Sequence, residues 1–391
     1  MIIIDKPFIS EFLIETIKEN NFQIISTKEA RELIPDNSLN WIAEETAQSI
    51  LRENPNTPIY TNSENSISWI ENNFGSSILP VQIEIFKNKI KFRELLKDSF
   101  PNFFFKGVKQ KDLRNINISK LKFPFIIKPT VGFFSLAVHK VVNDTEWKDV
   151  IEKIESEIKS FSGMYPEEVI GLTDFIIEEF IEGEEYAIDC YYDNEGDPVI
   201  LNILHHLFSS GKDVSDRVYS TSEEIIEKHK NKILLFLKTI GKKVNLKNFP
   251  AHVEVRIDGN GNLYPIEVNP LRFGGWCTTG DLSWYAFGFN SYEYFLKGKK
   301  PNWGEIYKTR KNKKYSIIVL DNNSGIEASE IELFNYNKLL GDFTKPLTLR
   351  KADFRKYPIF GFLFVETICG DDQELNQILT SDLRKYITEK K

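Results

Sequence analysis

A hairpin sequence decides the fold: AHVEVRID at residues 251–258, the turn GNGN at residues 259–262, and LYPIEVNP at residues 263–270. Polar and apolar residues alternate in both arms, which predicts two antiparallel strands joined by a short turn. Because successive side chains of a strand point to opposite faces, the polar positions of both arms share one face. We therefore expect the hairpin to gather Glu254, Glu267 and Asn269 within a few ångströms.

These three side chains are oxygen donors, which favours a magnesium site on the hairpin. Mg²⁺ prefers oxygen ligands and is usually held by one or two carboxylates together with substrate phosphates. The alternative is a solvated hairpin face on which acidic residues coincide without binding a metal. From the hairpin alone the two interpretations are about equally good.

Two segments upstream of the hairpin have the character of a nucleotide site. FPFIIKPT at residues 123–130 is an apolar strand that ends in Lys128, and a lysine there can reach a phosphate or simply extend into solvent. FIIEEFIEGEEY at residues 175–186 is a second apolar strand followed by Glu178 and Glu179. The extended backbone after these acids could pair with an adenine edge, or the acids could lie at a solvent-facing strand end.

Length and composition set the class of protein. A chain of 391 residues is too long for one core, and its net charge of -7 argues against a nucleic-acid groove. The three cysteines have no spacing typical of a zinc or redox site, which favours a reducing, cytoplasmic setting. No stretch has the ~18 apolar residues that a membrane span requires, and the N-terminus lacks the pattern of an export signal.

Changes in periodicity divide the chain into four units. Alternating short strands and helices predict a small α/β domain over residues 1–90, and a new unit over residues 91–183. Longer β segments characterise residues 184–302, and residues 303–391 have their own strands and a final helix. We expect a ligand cleft between these units.

Five blocks in order resemble the ATP-grasp superfamily, including its carboxylate-amine ligases. They lie within residues 85–300 and read NKIKFRELL, FPFIIKPTVGFFSLAV, FIIEEFIEGEEY, HVEVRID and LYPIEVNPLRFGG. The resemblance implies an α/β (α+β) ATP-grasp fold. In that fold residues 1–90 are the N-terminal domain, 91–183 the lid and nucleotide hinge, 184–302 the core with the metal site, and 303–391 a C-terminal appendage.

The resemblance also implies roles for individual residues. Those matching nucleotide-binding positions are Lys89 and Lys128 at the phosphates, Gly132 and Ser135 in the phosphate flap, Glu178, Glu179, Phe180 and Ile181 at the adenine hinge, and Glu185 near the ribose. The hairpin trio matches a two-metal ligand set. Arg272 matches the arginine that binds the transferring phosphoryl group or the substrate carboxylate. Two departures from the pattern are Ala137, where many members have glycine, and the extra residue Leu271.

The implied activity is ATP-dependent amide formation from a carboxylate and an amine, through an acyl phosphate, with release of ADP and phosphate. The expected cofactors are ATP and two Mg²⁺ ions, with Mn²⁺ able to substitute, and Lys128 and Arg272 are the expected catalytic cations. Arg217, in the polar segment SSGKDVSDRVYSTS, is a candidate for holding the substrate carboxylate. The partners are small molecules, and a homodimer is one possible assembly.

Two other functions stay open. The first is a carboxylase-type enzyme that forms carboxyphosphate from bicarbonate. The second is a catalytically silent ATP-binding regulatory protein, against which the retained acidic trio of the hairpin argues.

Overall fold

The computed structural model describes residues 1–75, 77–132, 137–161, 171–210 and 215–390. The chain begins with a four-stranded parallel sheet in the order β3-β2-β1-β4. Its strands are β1 (Ile2–Ile3), β2 (Ile24–Ile25), β3 (Trp41–Ile42) and β4 (Tyr60–Thr61). The residues of β1, β2 and β4 are buried, as expected for inner strands of a parallel sheet covered on both faces, whereas the edge strand β3 is half-buried.

Within the described residues, six α-helices accompany this sheet. They are α1 (Glu11–Asn20), α2 (Lys28–Leu33), α3 (Glu44–Glu53), α4 (Ile67–Phe74), α5 (Leu79–Lys87) and α6 (Lys89–Leu96). Asn88 separates α5 from α6 and caps α6, because its side-chain oxygen accepts from the backbone amides of Ile90 and Lys91. This cap places Lys87 and Lys89 on either side of one tight corner.

The second unit is a four-stranded antiparallel sheet, which we call the lid sheet, in the order β5-β8-β6-β7. Its strands are β5 (Phe105–Lys109), β6 (Phe125–Val131), β7 (His139–Val141) and β8 (Gly171–Glu179), and its helix is α7 (Trp147–Phe161). Phe125 and Ile127 from β6, Phe175 from β8 and Ile154 from α7 form its separate core.

The rest of the chain is built around one long antiparallel sheet. The remaining strands are β9 (Glu184–Tyr192), β10 (Pro198–Leu207), β11 (Val218–Ser222), β12 (Phe249–Ile257), β13 (Leu263–Pro270), β14 (Lys313–Asp321), β15 (Ile331–Phe334), β16 (Pro346–Lys351), β17 (Ile359–Ile368) and β18 (Ile387–Glu389). The helices are α8 (Glu223–Val244), α9 (Thr278–Phe287), α10 (Ser291–Leu296), α11 (Trp303–Tyr307), α12 (Tyr336–Leu340) and α13 (Gln373–Leu379).

Eight of these strands form a central sheet in the order β13-β12-β9-β10-β11-β14-β17-β16. After residue 303, β14, β16 and β17 continue this sheet, because β14 pairs with β11 from Val218–Ile318 to Ser222–Lys314. β15 and β18 instead form a separate two-stranded antiparallel sheet. The hairpin of β12 and β13 lies at the opposite end. One core joins the N-terminal sheet to this end of the central sheet, and a second core lies under the C-terminal strands.

No helix in the described ranges is both long enough and apolar enough to cross a membrane.

Candidate active site

The hairpin of β12 and β13 brings its two carboxylates face to face. Glu254 is the cross-strand partner of Glu267, and His252 is the partner of Asn269. The amide nitrogen of Asn269 donates to Oε1 of Glu267 at 3.2 Å. The three predicted oxygen donors therefore lie together on one face of the sheet.

Glu254 and Glu267 are two like charges that lie close together at half-buried positions. Burial raises the pKa of Glu254 well above its ordinary value, and the negative charge of Glu267 raises it further. Burial also opposes ionisation of Glu267, but the charges of Lys89, Lys128 and Lys87 outweigh it and lower the pKa of Glu267. The pair therefore carries negative charge that a bound cation would neutralise.

The chemistry of these donors fits magnesium. Carboxylate and amide oxygens are hard ligands, and Mg²⁺ commonly takes only one or two carboxylates from the protein. Within the described ranges, no group of three or more histidine, cysteine or acidic side chains is arranged to hold a metal. A magnesium ion here would thus complete its coordination with phosphate oxygens and water.

Two buried lysines flank the hairpin. Lys89, the first residue of α6, places its Nζ 3.2 Å from Oε2 of Glu267 and donates to the carbonyl of Gly132 at 3.3 Å. Lys128 on β6 lies 2.6 Å from Oε1 of Glu178, and burial lowers the pKa of this lysine. Two cations suited to a polyphosphate therefore lie where the lid sheet meets the hairpin.

Arg93 links the lid sheet to the hairpin and was missed by the sequence analysis. Its Nε is 2.8 Å from Oε2 of Glu178, and its Nη1 donates to the carbonyl of Pro265 at 2.7 Å. The carbonyl belongs to the hairpin where the register shifts by one residue after Glu254. The four-residue spacing from Lys89 on one helix is a sequence signal that could have placed Arg93 on the same face.

Arg272 completes the cationic lining from the loop after β13. Its Nε and Nη2 lie 3.1 and 2.6 Å from Oε1 of Glu64, and its Nη1 donates to the carbonyl of Phe273 at 2.8 Å. The charge of Arg272 also acts on Glu254 and favours its ionised form. Glu64 was not predicted, since nothing in TNSENS at residues 61–66 marks a buried acid.

Residues 121–280 match the family described as ATP-grasp domain. This chain contains an ATP-grasp domain. The hairpin, Lys128 and Arg272 lie inside the matched residues, whereas Lys89 and Arg93 precede them. The resemblance stated from the sequence is thereby confirmed.

Solved structures show the same ATP-grasp fold over nearly the whole chain. The L-amino acid ligase from Bacillus licheniformis has 20% identity and a TM-score of 0.69, covering 100% of this chain and 98% of that one. N5-carboxyaminoimidazole ribonucleotide synthetase from Thermotoga maritima has 14% identity and a TM-score of 0.62, covering 99% and 98%. No curated protein sequence matches this chain.

A third structure is the biotin carboxylase domain dimer of 2-oxoglutarate carboxylase from Hydrogenobacter thermophilus, in complex with MgADP, ADP and bicarbonate. It has 13% identity and a TM-score of 0.61, and covers 94% of this chain and 86% of that one. At these identities the likeness concerns the fold, and the predicted fold class is confirmed.

The predicted flap of the ATP-grasp domain is described only at its ends. Gly132 lies against Lys89 through its carbonyl, whereas Ser135 lies outside the described residues. Ala137, at the position where glycine was expected, has a φ of 53°. An alanine there costs roughly 1–2 kcal/mol relative to a right-handed conformation, which explains a preference for glycine.

The predicted adenine hinge follows β8 directly. The backbone amide of Glu179 donates to the carbonyl of Phe104 at 3.1 Å, and that of Phe180 donates to the carbonyl of Pro124 at 3.3 Å. The carbonyl of Ile181 accepts from Nη1 of Arg256 at 2.8 Å. The hinge backbone is therefore held in place by neighbouring segments of the chain.

Glu185, the predicted ribose contact, has two protein partners. It lies 2.8 Å from Nε of Arg256 and 2.9 Å from Nδ1 of His206. Burial opposes its ionisation, but these partners lower the pKa of Glu185 to about 2. A ribose hydroxyl that binds here would share a carboxylate already held by a cation.

Arg217 does not join the site. Its side chain is 2% exposed, and its Nη1 donates to the carbonyls of Ile378 and Ser381 at 3.2 and 2.8 Å. The guanidinium group also forms an ion pair with Asp321. Because Arg217 precedes β11 inside the sheet and its donors serve the C-terminal elements, we withdraw it from the predicted substrate contacts.

The buried carboxylate of Glu178 predicts a loss of stability in acid. Burial opposes ionisation of Glu178, but Arg93 and Lys128 lower its pKa to about 2, below the ordinary 4.5. A lowered folded-state pKa stabilises the protein above about pH 4.5, and this contribution is lost as pH falls toward 2. The contribution is at most about 3 kcal/mol, from ~1.4 kcal/mol per pKa unit.

Urea unfolding at pH 7, 5, 4 and 3 measures this dependence. The variant Glu178→Gln should lose less free energy of unfolding between pH 5 and pH 3 than the wild-type protein. Glu94, an exposed acid on α6 that pairs with Lys97 on the surface, provides the control variant Glu94→Gln. Equal pH slopes for Glu178→Gln and the wild-type protein would contradict the assignment.

Proposed function

We propose that this protein is an ATP-dependent carboxylate-amine ligase that works through an acyl phosphate. The observation that carries the proposal is the convergence of opposite charges at the hairpin of β12 and β13. Glu254 and Glu267 face each other, Lys89 and Lys128 approach from α6 and the lid sheet, and Arg272 approaches from the loop after β13. Phosphoryl transfer depends mainly on such positioning and charge neutralisation.

In the proposed first step, a carboxylate oxygen of the substrate attacks the γ-phosphorus of ATP. The bond from this phosphorus to the β-γ bridging oxygen breaks, and ADP leaves. Lys89 and Lys128 bind the phosphate oxygens, and Arg272 orients the transferring group or the attacking carboxylate. Glu254, Glu267 and Asn269 would hold two Mg²⁺ ions, or Mn²⁺ in their place, which neutralise the charge of the triphosphate.

In the second step, an amine attacks the carbonyl carbon of the acyl phosphate. The carbon-oxygen bond to the phosphate breaks, the amide forms, and phosphate leaves with the proton of the amine passing to a phosphate oxygen or to water. The protein's part is to keep water away from the acyl phosphate, because hydrolysis would destroy the activated acyl group.

Similarity of fold supports the class of reaction. The L-amino acid ligase and the N5-carboxyaminoimidazole ribonucleotide synthetase are ligases by name, and the structural likeness extends over at least 98% of each chain. We therefore propose a small-molecule carboxylate and a small-molecule amine as substrates. The three free cysteines fit the proposed reducing, cytoplasmic setting.

A substrate screen tests the proposal. Purified protein with ATP and Mg²⁺ is incubated with amino acids and other carboxylates, singly and in pairs with amines, and ADP, phosphate and product mass are measured. We expect ADP in equal amount to a condensed product that is one water lighter than the pair. ADP formed with bicarbonate alone would favour the carboxylase, and nucleotide binding without any ADP would favour the silent regulatory protein.

A further inference from the structure

Glu64 is a buried acid that lies outside the residues matched to the ATP-grasp domain. It follows β4 at the carboxyl edge of the N-terminal parallel sheet, and it is 5% exposed. A carboxylate in such a place is stable only when cations or donors surround it. Burial opposes its ionisation, but Lys87 and Arg272 lower the pKa of Glu64 to about 2.

The contacts of Glu64 fix the orientation of Arg272. Oε1 of Glu64 accepts from both Nε and Nη2 of Arg272, and the carbonyl of Phe273 accepts from Nη1. Three nitrogens of one planar guanidinium group are thus held at once, which leaves the group little freedom to rotate. The other carboxylate oxygen of Glu64 is bound by Lys87.

Lys87 makes the net charge of the group formed by Glu64, Lys87 and Arg272 positive. A carboxylate paired with Arg272 alone would cancel the positive charge that Arg272 offers to a phosphoryl group. Here two cations share one anion, so the trio stays net positive beside the carboxylates of the hairpin. The charge of Lys87 also acts on Glu267, which places the trio within electrostatic range of the metal-ligand face.

A second contact joins the same two segments. The backbone amide of Thr61, at the end of β4, donates to the carbonyl of Leu271 at 2.8 Å. Leu271 has a φ of 61°, a left-handed conformation that is uncommon for a residue with a β-carbon. The N-terminal sheet therefore holds both the backbone before Arg272 and its side chain.

We propose that Glu64, balanced by Lys87, is a positioning residue that sets the orientation of Arg272 for phosphoryl transfer. This inference rests on the proposed ligase function. It means that the N-terminal domain completes the nucleotide site of the ATP-grasp domain. The competing interpretation is a purely structural ion pair that joins two parts of the chain.

Three variants separate these interpretations. Glu64→Gln keeps the shape of the side chain but presents an amide nitrogen to one of the two cations. The double variant Glu64→Gln with Lys87→Met removes the lysine, so that the amide oxygen can turn to Arg272 and restore one acceptor. Asp321→Asn is the matched control, because Asp321 pairs with the buried Arg217, whose other donors serve the C-terminal elements.

Steady-state kinetics and thermal unfolding are measured for each variant with the best substrate pair. We expect Glu64→Gln to lower kcat about 100-fold with KM for ATP nearly unchanged, as for a misplaced catalytic group. The kcat of the double variant should be about tenfold higher than that of Glu64→Gln. Asp321→Asn should lower the unfolding temperature and leave kcat unchanged. Similar unfolding losses in Glu64→Gln and Asp321→Asn, without a specific loss of kcat, would overturn the proposal.

Nucleotide affinity gives a second measurement that needs no substrate pair. Calorimetry compares MgADP alone with MgADP plus aluminium fluoride, a mimic of the transferring phosphoryl group. Glu64→Gln should bind MgADP normally and the aluminium fluoride complex at least tenfold more weakly, as expected when Arg272 is misaligned. If the variant and the wild-type protein bound the aluminium fluoride complex with equal affinity, the positioning role would be refuted. If the wild-type protein formed no ADP with any substrate pair, only the proposed ligase function would be rejected.

Discussion

Replacing Glu267 with glutamine is expected to lower kcat by about 1,000-fold, comparable to the loss of one preorganised charged group at a phosphoryl-transfer site. Glu267 faces Glu254 across the hairpin and lies 3.2 Å from Nζ of Lys89. The amide keeps the size of the side chain but removes an anionic metal ligand. Repulsion between the two carboxylates disappears at the same time, so the free energy of unfolding should change by only about 1 kcal/mol.

The control for this variant is Glu366→Gln. Glu366 is a partly buried carboxylate on β17 of the same central sheet, and it lies 2.9 Å from Nζ of Lys345. ADP release at saturating ATP and a titration of Mg²⁺ are measured for both variants. If Glu267→Gln kept more than half of the wild-type turnover at ordinary Mg²⁺ concentrations, the hairpin would not be the metal site.

Replacing Lys128 with methionine is expected to lower kcat/KM for ATP by about 100-fold, as for a lost contact to a charged phosphate. Lys128 is buried on β6 and lies 2.6 Å from Glu178. The variant leaves Glu178 paired with Arg93, so the carboxylate does not become an isolated buried charge. Methionine also preserves most of the apolar stem of the lysine, which limits the effect on packing.

Lys109→Met in the same lid sheet provides the comparison. Lys109 is exposed on β5 and lies 2.6 Å from Asp174, so its loss should change kcat/KM less than twofold, as for a surface ion pair. Nucleotide affinity measured by calorimetry should follow the kinetics. Wild-type affinity for MgATP in Lys128→Met would remove this lysine from the phosphate site.

The hairpin could be predicted because the residues that determine it lie within one short segment of the sequence. Alternation in two arms and a turn between them set which side chains share a face, and the register then brings Glu254 opposite Glu267. The register shift after Glu254 was not predictable in this way, since Pro265 and Ile266 complete it by accepting bonds from Arg93.

The cationic partners of the site depend on contacts distant in sequence. Arg272 and Glu64 are 208 residues apart, and Arg93 and Glu178 are 85 residues apart. No periodicity within one segment reports such pairs. The prediction for Arg217 failed for the same reason. The polar sequence around it suggested an accessible loop, whereas contacts with distant C-terminal elements bury its side chain.

The continuity of the central sheet determines how the molecule can be divided. β11 has β10 on one side and β14 on the other, so a chain cut before β14 would expose the full hydrogen-bonding edge of β11. Unpaired strand edges promote self-association between copies. A fragment trimmed to residues 121–280 would therefore be prone to aggregate and would also lack Lys89, Arg93 and Glu64.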